Sequence, residues 1–69
     1  MVEVFKTNIQ DKEIANNLLA DLQCVFPNCK INFDLDDCDN ILRIESDKII
    51  PEEITKVLNY KGFVCEVLE

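Results

Sequence analysis

The sequence contains no histidine and no tryptophan, one glycine, two prolines, and half as many basic residues as acidic ones, 7 against 14. Without histidine it has no side chain that ordinarily changes charge near neutral pH, and the commonest nitrogen ligand of zinc and copper is missing. A single glycine excludes a glycine-rich loop that cradles phosphate. So few glycines and prolines leave no material for a linker or a disordered tail. The acidic excess gives a net charge of -7, which repels phosphate backbones and anionic lipid. Neither nucleic acid nor membrane is therefore expected as a partner, and a basic protein or a cation suits the charge better. No apolar run reaches the length of a membrane span. The opening MVEVFKTN lacks the basic region and apolar stretch of a signal peptide, so a cytoplasmic protein is expected.

What is present fits one domain, residues 1–69, near the lower size limit at which a hydrophobic core alone sustains a fold. Four cysteines in so short a chain suit a disulfide framework only in an oxidising compartment, so reduced thiols are expected.

VEVFK, residues 2–6, is β-branched and aromatic, with Val2 and Val4 sharing a face, as in a strand. From Asp11 the period changes. Ile14, Leu18, Leu22 and Val25 recur at helical spacing, Ala15 and Leu19 widen the stripe, and Pro27 limits the helix. Asn8 or Asp11 supplies its N-terminal cap. KINFDLD alternates strictly, DDCDN provides turn residues, and ILRIE follows as a second strand, which together predict a hairpin. Pro51 opens a second helix with Glu52 and Glu53 in its first turn; Ile54, Val57 and Leu58 form its stripe, and Gly62 ends it. FVCEVLE closes the chain as a last strand, with Phe63, Cys65 and Val67 on one face.

The order βαββαβ predicts an α+β, ferredoxin-like sandwich: a four-stranded antiparallel sheet in order 4-1-3-2 with both helices on one face. The loops at 7–11, 36–40 and 60–62 are then expected at one end.

This topology, the length and the closing NYKGFVCEVLE resemble the heavy-metal-associated domain of copper chaperones and metal-transporting ATPases. In that family an MTCxxC motif follows the first strand. Carried over residue by residue, Lys6 stands at the methionine, Thr7 at the threonine, and Asn8 and Asp11 at the two cysteines. Soft ions held by two thiolates are not held by an amide and a carboxylate. The resemblance therefore implies the scaffold without its copper chemistry, and no cofactor is expected. Lys61 matches a loop lysine that offsets the charge of the bound ion in many of the family's cytosolic chaperones; the helix dipole explains a lysine there equally well.

Two thiol arrangements offer an alternative, a divergent zinc- or copper-binding or sensing domain: Cys38 with Asp11, Asp37 or Asp39 near the hairpin turn, and Cys24 with Cys29 at the other end. The C-x4-C spacing of the second is not that of a zinc knuckle. Cys65 reads as a small buried hydrophobe. Asp34, Asp36, Cys38, Asn40 and Glu45 match the ligand positions of a calcium loop, but Asp39 replaces the required glycine and strand alternation replaces the flanking helices. With no base beside a nucleophile, a non-enzymatic interaction module is the leading expectation. Its surface is the sheet face without helices, with Phe5, Ile41 and Val64 as an apolar centre and Asp34 and Asp36 among its acidic rim, or else an edge strand. It binds a protein or a second copy.

Overall fold

A computed structural model of the protein describes residues 1–35 and 40–68. Among these, alternation and helical spacing produce β1 (Val2–Thr7), α1 (Lys12–Val25), β2 (Lys30–Asp34), β3 (Ile41–Glu45), α2 (Pro51–Tyr60) and β4 (Cys65–Val67). The strands form one antiparallel sheet in the order β2-β3-β1-β4, which is the expected 4-1-3-2 read from the opposite edge.

Both helices are bounded by local chemistry. Asp11 caps α1, its Oδ1 accepting from the backbone N–H groups of Glu13 at 2.8 Å and Ile14 at 3.3 Å. Pro51 starts α2, where a missing N–H costs nothing, and Glu52 and Glu53 lie at the positive end of its dipole. At its other end the Gly62 N–H donates to the Asn59 carbonyl and the Phe63 N–H to the Leu58 carbonyl, both at 3.0 Å. This terminating pattern requires a left-handed residue, and Gly62 supplies it with φ 94°.

The core gathers on one side of the sheet. Phe5, Ile31, Leu42, Ile44 and Cys65 from the strands meet Ala15, Leu18 and Leu22 of α1 and Ile54 and Leu58 of α2, so both helices cover the same face. Ile9 and Ile49, from connecting segments, complete it. On α1 the buried stripe is Ala15, Leu18 and Leu22; Ile14 and Val25, expected in that stripe, are exposed. Val67, expected inward, is also exposed, since β4 is a three-residue edge strand.

The largest correction concerns β1. Phe5, expected on the open face, is completely buried opposite Leu42, and Val2 and Val4 take the open side instead. The strand carries two competing period-two sets, Val2 with Val4 and Phe5 with Thr7 and Ile9. The second wins because a phenyl ring has more apolar area to bury and because the Thr7 hydroxyl finds partners inside. A one-residue change of phase moves every side chain to the other face.

Candidate functional site

The junction of β1 and α1 is the first place to look, because the resemblance puts a metal grip there. Its polar residues are occupied in holding the chain together. Thr7, the buried polar residue among those described, donates from Oγ1 to the Asn40 carbonyl at 2.7 Å and accepts from the Ile9 N–H at 3.2 Å. Its backbone N–H reaches the same Asn40 carbonyl at 3.3 Å. Asn8 Oδ1 accepts from the Val64 N–H at 3.0 Å. With Asp11 capping α1, both positions aligned with the family's cysteines carry oxygen acceptors for backbone donors. Asn40, which leads into β3, and Val64, which leads into β4, are thus tied to this junction.

Lys61 points elsewhere. Its ammonium lies 3.2 Å from Asp21 Oδ2, an exposed pair between the end of α2 and the middle of α1. Such a pair contributes little in water.

The thiols divide by environment. Cys24 is exposed, Cys29 partly buried against the core, Cys65 buried, and all three are free. The Cys29 carbonyl accepts from Gln23 Nε2 at 2.9 Å, which fastens the turn after α1 to the helix. Burial, and secondarily the neighbouring Glu66 carboxylate, push the Cys65 thiol up to about 11, so it is a protonated core residue at neutral pH. Asp36, Asp37, Cys38 and Asp39 lie outside the described residues. No group of three or more Cys, Asp or Glu side chains among the described residues is arranged to hold a metal ion. The calcium-loop match falls across the antiparallel pair β2 and β3, with Asp34 opposite Ile41.

The sheet face without helices is laid out by the strand register. Across β2, β3 and β1 the rows read Lys30, Glu45, Val2; then Asn32, Arg43, Val4; then Asp34, Ile41, Lys6, to which β4 adds Glu66. The Leu68 N–H donates to the Val4 carbonyl at 2.8 Å, which brings Leu68 beside Val4. Val4 and Ile41 are half-buried, while Val2 and Leu68 are exposed. The apolar centre is thus Val2, Val4, Ile41 and Leu68. Of the expected trio Ile41 remains, Phe5 is in the core, and Val64 is exposed just before β4. Among the described residues Lys6, Lys30 and Arg43 balance Asp34, Glu45 and Glu66 on this face. The parity of Phe5, Thr7 and Ile9, continued into the loop, was the signal for the correct face.

A second apolar surface escaped sequence reasoning. A recess of 470 Å³ opens between the end of α1 and α2, lined by Val25, Phe26, Glu53, Lys56, Val57 and Tyr60. Tyr60 is 91% exposed on its rim. It joins residues from separate elements, so no local pattern announces it. No helix among the described residues is long and apolar enough to cross a membrane.

No family model matches the chain, and neither a curated protein nor a solved structure matches it.

Proposed function

We propose that the chain is a non-enzymatic protein-interaction module, built on a ferredoxin-like scaffold of the heavy-metal-associated type whose metal grip has been turned to structural use. The observation that carries this reading is the pair of acceptors at the junction. Asn8 holds the Val64 N–H and Asp11 caps α1, where the resembled family has thiolates. Amide and carboxylate oxygens, engaged here with backbone donors, are the wrong ligand atoms for a soft ion.

The working surface in this reading is the open sheet face. A half-exposed centre of Val2, Val4, Ile41 and Leu68 ringed by charges of both signs is the composition of a modest interface, with apolar contact in the middle and polar groups at the rim. The absence of histidine and of any glycine-rich phosphate loop from the sequence supports binding over catalysis.

The test replaces Val4 and Ile41 together by aspartate, with circular dichroism as the control for folding. Partners captured by the wild-type chain should be lost by the variant. An unchanged partner set with a folded variant overturns the reading.

A further inference from the structure

We propose that β2 is a self-recognition edge, and that two copies join through it into a continuous eight-stranded sheet. Among the described strands β2 is bonded to β3 alone, which places it at the edge of the sheet. Exposed edges of this kind invite a second strand unless charge or geometry prevents it.

The sequence across this edge, CKINFDL, residues 29–35, is complementary to itself in the antiparallel sense. Centred on Asn32, a two-fold pairing sets Lys30 opposite Asp34 of the second copy and Asp34 opposite its Lys30. Asn32 meets Asn32. The intervening positions face the helix side, where Ile31 meets Phe33 and Cys29 meets Leu35. These four are apolar and pack on the core, Phe33, Cys29 and Leu35 only partly covered. Opposite charges and apolar pairs directly across a strand pair are the contacts that stabilise it. Within one copy Lys30 is registered against Glu45 and Asp34 against Ile41. The pairing therefore continues an alternation of sign, from Asp34 of the second copy through Lys30 to Glu45.

Competing arrangements match less well. A shift of two residues toward Ile31 sets Lys30 against Asn32 and pairs no charges; the opposite shift, toward Phe33, sets Asp34 against Asn32 and trades the Lys30–Asp34 pairs for Lys30 level with Asp36 in the sequence. At the opposite edge, β4 paired with itself about Glu66 sets two carboxylates face to face, which is unfavourable. The two-fold pairing through β2 is isologous and closes on itself, so it produces a dimer and no fibre. A recess of 160 Å³ lined by Lys12, Ala15, Asn16, Phe33, Asp34 and Leu35 lies beside this strand, about the volume of one side chain of the second copy. The open sheet face stays uncovered in such a dimer, so this inference stands apart from the proposed function, although Lys30 and Asp34 also belong to the charged rim of that face.

Sedimentation equilibrium on the full chain tests it. The wild type should associate to a dimer. Lys30→Asp sets two carboxylates against each other across the edge, and Asp34→Lys sets two ammonium groups together, so each alone should weaken the dimer roughly tenfold or more. Mixed in equal amounts, these two variants should form a heterodimer, since every cross-edge pair is then of opposite sign. The double variant carrying both exchanges should dimerise like the wild type, and it serves the test if a single variant loses its fold. A wild type that remains monomeric up to about 1 mM, single variants that dimerise as tightly as the wild type, or a mixture that does not associate would each overturn the proposal.

Discussion

Asn8 Oδ1 accepts the backbone N–H of Val64 at 3.0 Å, fastening the loop before α1 to the segment that leads into β4. Residues 56 positions apart are joined by one side chain at the point where the resembled family binds its ion. Asn8→Ala should therefore destabilise the fold by about 0.5–1.5 kcal/mol, read from urea denaturation. Asp11→Ala should cost about 1 kcal/mol through loss of the α1 cap. Since the two side chains hold different backbone donors, the double variant should show nearly the sum.

Phe5 and Val4 are neighbours in sequence and opposites in environment. Phe5→Ala removes a completely buried ring and should cost about 3–5 kcal/mol. Val4→Thr, on the open face, should cost less than about 1 kcal/mol. Equal costs in chemical denaturation would mean that the facing of β1 has been assigned wrongly.

The fold was legible in the sequence to the level of its element order and strand pairing, because β2 and β3 alternate without ambiguity and Asp11, Pro51 and Gly62 are specific terminators. The facing of β1 was not, since Val2 with Val4 and Phe5 with Ile9 offer two periods of equal regularity. Only the tertiary environment, with Leu42 opposite Phe5 and the Asn40 carbonyl above Thr7, decides between them. The candidate surface inherited that ambiguity: Ile41 was found, and Val4 and Leu68 were missed. The recess beside Tyr60 and the core positions Ile9 and Ile49 come from loops and helix ends, where no period exists to read.

Asn40 enters β3 with φ 50°, a left-handed conformation that asparagine tolerates and β-branched residues do not. Its carbonyl holds both donors of Thr7, so the backbone there is fixed. Asn40→Gly should leave stability nearly unchanged, whereas Asn40→Val should cost about 1–2 kcal/mol. Thermal melts of the two variants distinguish this from a side-chain role, in which both would be destabilised alike.

Cys65 links stability to alkaline pH. Its thiol is pushed from 9.0 to about 11 in the fold, chiefly by burial. Between those values the unfolded chain releases its proton while the folded chain retains it. The stabilisation is therefore complete below 9.0 and declines as pH rises toward 11. Cys65→Val should flatten this part of the pH profile relative to wild type, which denaturant midpoints across the window would show. At neutral pH an alkylating reagent should modify exposed Cys24 rapidly and buried Cys65 only on unfolding.

The proposed structural use of the junction after β1, in place of the resembled family's metal grip, is tested most directly by titrating the fully reduced protein with Cu(I) and with Zn(II), followed by calorimetry and native mass spectrometry, with Cys38→Ser as the companion. No one-to-one complex tighter than the loose association of either ion with an acidic surface should form, and the companion should behave in the same way. A tight one-to-one complex in the wild type, lost in Cys38→Ser, would contradict the proposed use of the junction and place a metal site at the hairpin end of the sheet.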